Sequence, residues 1–208
     1  MKSDLLKRNK NELNHFNKMA KVYDENYGYN DKFTQYKIDK KCKILLEIVE
    51  KNTINDPKII LEIGCGTGEY TKRLAKLFLN SIVIASDISE NILSVTKKKC
   101  KKFNNIKYEV IDAYNLKKYN NKIDIVCGFY VLHHLNIKRS IEQILSALKK
   151  NGLLFFYEPN ILNPIVYLIK SNGWIKKMVG DSPDEWAINP LTIEKHLNKM
   201  EVIELKTS

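Results

Sequence analysis

The chain has 208 residues, room for one domain with a full core and too few for a second independent one. Hydrophobic residues make up 44% and charged residues 28%, an ordinary globular composition, and no apolar run approaches the ~18 residues that span a bilayer. Lys and Arg outnumber Asp and Glu 35 to 24, a formal charge of +11.

That charge attracts phosphate in general, but Arg, the better residue for bidentate phosphate and base contacts, stands only at positions 8, 73 and 139. The lysines are spread through an Asn- and Ile-rich background and read as a solvated surface, so a nucleic-acid partner is not expected. The stretch from Met1 to Asn17 is polar and lacks a signal-peptide core, which makes the cytoplasm the expected compartment. Cys42, Cys65, Cys100 and Cys127 are widely spaced, with no C-x-x-C pair and no His at ligand spacing. They read as reduced thiols, and neither a metal site nor a disulfide is expected.

In chain order, the first fifty residues read as helical. Phe16, Met19, Ala20 and Tyr23 form one apolar stripe, and Ile38, Cys42, Leu45 and Val49 a second after the loop around Gly28. A strict alternation follows. Strands are predicted over Lys58–Ile63, Ile82–Ser86, Ile106–Ile111, Ile123–Gly128 and Leu153–Tyr157. Helices are predicted over Tyr70–Leu79, Ile92–Phe103 and Ile137–Lys149 between them. This order predicts an α/β fold, a doubly wound, mostly parallel sheet with helices on both faces. After Glu158 come an apolar, Trp-containing stretch, a helix over Leu191–Met200 and a strand-like Glu201–Lys206.

The strongest chemical signal is Leu61-Glu62-Ile63-Gly64-Cys65-Gly66-Thr67-Gly68, a strand that ends in a glycine turn and opens a helix. Such a turn lets backbone approach a ligand and aims helix N-terminal N–H groups at it. It is not the dinucleotide fingerprint G-x-G-x-x-G, since position 69 is Glu, nor a phosphate loop, since Gly-Lys-Ser/Thr is absent. Taken alone, it is also compatible with a chance turn in a flavodoxin-like sheet. Asp87 ends the second strand, where a carboxylate can accept from both ribose hydroxyls of an adenosyl group; it could also cap the next helix. Asp112, beside Ala113, ends the third strand, placed for an adenine amine or for a surface turn.

Glu62 to Gly68, Asp87, Asp112-Ala113, Ile123-Asp124-Ile125-Val126, Val131-Leu132-His133-His134-Leu135 and Asn151-Gly152-Leu153-Leu154-Phe155 together resemble class I S-adenosylmethionine (SAM)-dependent methyltransferases. The resemblance is narrower to the type 11 small-molecule group and covers roughly residues 14 to 206. It implies a Rossmann-like sheet and SAM as cofactor. Glu62, Gly64, Cys65, Gly66 and Gly68 would hold the methionine end; Asp87 and Ile88 the ribose; Asp112 and Ala113 the adenine; Gly128 and Phe129 the sulfonium. Tyr23 matches the family tyrosine that lies over the methionine part, whereas Phe16 and Ala20 read as core. Leu153 departs from the family, which often has a second glycine there.

The resemblance implies methyl transfer to a small-molecule or lipid- or glycan-linked acceptor, with His133, His134 and Glu158 as candidate general bases. The His pair also reads as structural. An RNA or protein methyltransferase, and an inactive SAM-binding protein, are the rival readings; the residues leave the acceptor and the atom methylated open. Residues 1–52 are expected as a helical cap, 53–158 as the SAM-binding core and 159–208 as the acceptor side, all within one domain. Ile161 to Val179 reads as an acceptor lid, a peripheral membrane contact or a helix packed on the sheet. The acceptor is expected to enter between the N-terminal helices and segment 160–190. The family sheet has a seventh, antiparallel strand; with Glu201–Lys206 as the sixth, that last strand is expected to be missing.

Overall fold

The computed structural model describes residues 2–52, 56–178, 187–197 and 200. Five strands form one sheet: β1 (Ile59–Ile63), β2 (Ile82–Asp87), β3 (Ile106–Val110), β4 (Ile123–Phe129) and β5 (Leu148–Tyr157). Their spatial order is β3-β2-β1-β4-β5, and every pair is parallel. The chain therefore runs outward in one direction from β1 to β3 and in the other from β4 to β5. That places the topological switch between β1 and β4, where open α/β sheets bind ligands at the carboxyl ends of their strands.

Around the sheet lie α1 (Lys2–Met19), α2 (Tyr23–Asn26), α3 (Lys32–Lys51), α4 (Thr71–Leu77), α5 (Glu90–Lys99) and α6 (Ile137–Ala147). Beyond β5 come α7 (Pro164–Ser171), α8 (Gly173–Met178) and α9 (Pro190–Ile193). Alternate strand residues feed two cores, because successive side chains point to opposite faces. Ile60, Val83, Ile125, Cys127, Leu153 and Phe155 meet the α3 stripe Ile38, Cys42, Leu45 and Val49 and Leu74 of α4. Leu61, Ile63, Ile84 and Val126 meet Ile144 and Ala147 of α6 on the other face. Each fully buried aliphatic side chain contributes about 1.5–3 kcal/mol.

Two carboxylates, half-buried Asp124 and buried Glu69, lock this frame. Asp124 Oδ2 accepts from the backbone N–H groups of Lys58 (3.1 Å) and Ile59 (2.9 Å), while its Oδ1 meets Lys149 Nζ at 2.7 Å, pinning the entry of β1 to β4 and β5. Glu69, the residue that breaks the dinucleotide fingerprint, is 3% exposed and joins three helices. It accepts from Gln35 of α3 and meets Lys72 (2.6 Å) and Arg73 (2.7 Å) of α4 and Lys99 (2.8 Å) of α5. Burial pushes its pKa up, but the bonds from Lys72 and Lys99 outweigh that and hold it at about 2.

The structure revises several sequence expectations. The doubly wound class stands as expected, its sheet parallel throughout and with no antiparallel strand among the described residues, but details differ. The expected sixth strand, Glu201–Lys206, lies outside the described residues. Strand β5 begins earlier than expected, because Leu148 pairs with Ile123 before a bulge that resumes at Leu153 opposite Ile125. Asn151, at φ 66°, makes that turn, and a Cβ on Gly152 would stand 3.0–3.1 Å from the Lys149 and Asp124 carbonyls. The turn is thus made without a glycine at 153. Helix α5 begins at Ser89, whose hydroxyl caps the Ile92 amide at 3.1 Å, so Asp87 is not its cap. The helix expected over Leu191–Met200 is the short α9 followed by a 3-10 turn, Glu194–His196.

Candidate active site

The glycine turn after β1 is held from behind. Thr96 Oγ1 of α5 donates to the Gly66 carbonyl at 2.6 Å, and the Cys65 amide donates to the Ser86 carbonyl at 2.9 Å. Gly64 and Gly66 both have left-handed backbone, φ 65° and 53°. A Cβ on Gly64 would lie 2.4 Å from Val131 Cγ2, and one on Gly66 3.2 Å from the Tyr23 hydroxyl oxygen, so any side chain there meets both strain and neighbours. Tyr23 is anchored over the turn by its neighbour: Thr67 Oγ1 donates to Asp24 Oδ1 at 2.5 Å, and Lys99 Nζ meets Asp24 Oδ2 at 2.6 Å.

Asp87 stands opposite this turn at the end of β2. Its Oδ2 accepts from the Gly66 amide at 3.2 Å and its Oδ1 from the Ser89 amide at 2.9 Å. Burial raises its pKa to about 6, although the backbone bonds from Ser89, Gly66 and Ile88 pull the other way. Asp112, after β3, accepts from the Tyr114 amide at 2.9 Å, so it makes a turn and also faces the ligand side.

A cavity of about 540 Å³ opens over the carboxyl edge of the sheet. Of the residues expected at the cofactor, Tyr23, Gly64, Gly66, Asp87, Ile88, Asp112, Ala113 and Phe129 line it. Four others do not. Glu62 is 1% exposed beneath the turn, its Oε2 accepting from Thr71 Oγ1 of α4 at 2.5 Å. Burial raises its pKa to about 8, the Thr71 bond opposes this, and Asp87 adds to it. The Cys65 thiol turns inward to Thr96, Gly68 packs on Thr96 and Cys100, and Gly128 packs on Phe156 and Val131.

His133 and His134 line the cavity from the 3-10 turn after β4. Glu158, after β5, lies behind them rather than in the lining. Its Oε1 accepts from the Val131 (2.9 Å) and Leu132 (2.8 Å) amides, and its Oε2 meets His133 Nδ1 at 2.6 Å. An ionised carboxylate can only accept, so with Glu158 ionised the proton of this contact sits on His133 Nδ1. His134 Nδ1 lies 3.1 Å from Glu12 Oε2 of α1.

Sequence reasoning missed several lining residues. Phe16, read as core, lines the cavity instead and meets His134 edge-on at 5.3 Å between ring centroids. From α3, Lys37 and Lys41 face the cavity, and Lys170 comes from α7. Lys41 directly precedes Cys42 of the buried stripe, the one signal that its stem is drawn inward. Tyr130, at φ 58°, is an outlier for a bulky residue and turns its ring toward Lys41. Val166 and Ile169 of α7 also line the cavity, so α7 and the N-terminal helices border the same space.

Residues 60–152 match the family described as Methyltransferase domain. The chain belongs to the class I SAM-dependent methyltransferases. It is 31% identical over 146 residues to a malonyl-[acyl-carrier protein] O-methyltransferase of Halalkalibacterium halodurans, covering 68% of this chain and 52% of that protein. It is 31% identical over 166 residues to a demethylmenaquinone methyltransferase of Leptospira interrogans, covering 77% of this chain and 62% of the relative. The chain thus spans about half to three-fifths of the length of these relatives. Among solved structures, the trans-methyltransferase CalH in complex with SAH has the same fold at a TM-score of 0.56 and 22% identity, covering 80% of this chain and 48% of that one. Among the described residues, no helix is long and apolar enough to cross a membrane.

Proposed function

We propose that the protein transfers a methyl group from SAM to a small-molecule or lipid-like acceptor bound in the same cavity. The observation that carries this is the division of one cavity. Gly66, Asp87 and Asp112 lie on its β1–β2–β3 side, and Tyr130, His133 and α7 on its β4–β5 side. Asp87, buried yet facing the cavity, offers carboxylate oxygens to ribose hydroxyls; Asp112 offers one to the adenine amine; Gly66, under Tyr23, leaves room for the methionine part. A cavity of about 540 Å³ is of the size that holds such a ligand.

SAM supplies the activated methyl and its own leaving group, so the chain's part is alignment, exclusion of water and handling of the acceptor proton. His133 is the base that fits: its tautomer is set by Glu158, and its ring faces the cavity. Glu158 acts through His133 and through the turn it holds. His134, tied to Glu12, positions α1. The relatives named for demethylmenaquinone and for ubiquinone biosynthesis support a lipid-like acceptor.

On that reading α7 and α8 rest against a membrane surface. Ile165, Leu168, Trp174 and Met178 are all more than half exposed, while the opposite side of α7 lines the cavity. The test is calorimetric titration with SAM, followed by transfer of labelled methyl from SAM into a cell extract. Tight SAM binding with a labelled extractable product is the expected result, whereas SAM binding with no transferable label would favour an inactive SAM-binding protein.

A further inference from the structure

Resting on the reading of the cavity as a methyltransferase site, we propose that the acceptor binds as an anion on an unsaturated or aromatic body, its charge held by Lys41 with Lys37 and Lys170 beside it. The cavity is electrically divided. Among the described residues its acidic lining residues are Glu12, Asp87 and Asp112. Asp87 and Asp112 end β2 and β3, on one side of the switch point, and Glu12 is drawn to His134. The three lysines stand on the other side, where α3 packs on β5 and α7 follows it.

Lys41 is the centre of this group. Its Nζ lies 4.7 Å from the Tyr130 ring centroid and 4.9 Å from that of Tyr157, and no carboxylate comes within ion-pair distance of it among the described residues. Lys37 is one helical turn away on the same face, its Nζ over Phe33. Burial first and the charge of Lys37 second lower the Lys41 pKa to about 8, so two ring faces only partly replace the water it has lost. Lys170 of α7, 7% exposed, also lines this side of the cavity. An ammonium held between aromatic faces without a carboxylate is poorly solvated, and a ligand anion supplies the missing partner. The rings of Tyr70, Phe129 and Tyr130 beside it fit a flat apolar body, Tyr70 and Phe129 being stacked at 4.1 Å.

The probes are 2-naphthoate and its neutral isostere 2-naphthamide, titrated calorimetrically into the whole chain with and without saturating S-adenosylhomocysteine. The expected result is naphthoate affinity at least ten-fold above that of naphthamide. Lys41→Met should remove this preference and Lys41→Arg should keep it, with S-adenosylhomocysteine affinity within two-fold in all three proteins. Equal affinities, binding of neither compound, or a preference that survives Lys41→Met would overturn the proposal. Failure of S-adenosylhomocysteine to bind would instead sink the methyltransferase reading; the titrations without it score the anion preference separately.

Discussion

The Asp87 carboxylate and the Gly66 amide meet across the crevice between β2 and β1 at 3.2 Å, so the acidic strand end and the glycine turn are one hydrogen-bonded unit. Removing the carboxylate therefore takes away a ligand acceptor and loosens the turn together. Asp87→Ala is expected to weaken SAM binding by about 1–3 kcal/mol, read by calorimetry. Gly66→Val is expected to do more damage, since its side chain enters left-handed backbone beneath Tyr23.

The same residue gives a pH signature. Burial holds Asp87 near a pKa of about 6, and donors from a ribose favour its ionised form. SAM binding should therefore release protons around pH 6, and affinity should fall as pH drops through that value. Titrations in buffers of different ionisation enthalpy measure the release, which Asp87→Asn should abolish.

Glu62 carries the opposite test. Its pKa is raised to about 8, so ionisation costs stability from its ordinary value near 4.5 upward as pH rises through the folded one. Glu62→Gln should escape that cost, melting higher than the wild type by a margin that widens between pH 5 and 8 and reaches roughly 3–5 kcal/mol.

For Glu69 the sign reverses. A folded pKa of about 2 contributes stability that is full above the unfolded value near 4.5 and lost as pH falls toward 2. Glu69→Gln should cost about 1–3 kcal/mol at pH 7, with the gap closing in acid, because Gln cannot replace the bonds to Lys72, Arg73 and Lys99.

His133→Gln should leave SAM affinity within two-fold and lower methyl transfer by roughly 10²–10⁴-fold, the range for a positioned base. Glu158→Gln should lower transfer and also destabilise the turn at Val131 and Leu132. An unchanged transfer rate in His133→Gln would leave that side chain a structural role only.

Much of this was legible because parallel strands buried on both faces read as largely apolar runs, as Ile59–Ile63 does apart from Glu62, and because ligand groups fall where those runs end. The pattern could place Asp87 and Asp112 at strand ends, but it could not tell a carboxylate facing the cavity from one beneath it. Glu62, one residue before Ile63, points into the face packed by α4 and serves Thr71. Helices were read only through their apolar stripes, so Lys41 and Phe16 were invisible as cavity residues. Their roles depend on α3 and α1 crossing the sheet edge, a relation between segments far apart in sequence. The wholly parallel pairing of the described strands likewise depends on contacts that no local pattern encodes.

Helix α1 is fastened on both rims of the cavity, Asn17 to the Ser89 hydroxyl at 2.6 Å on the β2 side and Glu12 to His134 on the β4 side. A strap buckled at both ends makes the enclosed ligand a prisoner. Exchange of a ligand bound beneath α1 then requires at least one of these contacts to open. The two buckles differ in kind: one is a neutral hydroxyl–amide bond and the other joins a carboxylate to an imidazole.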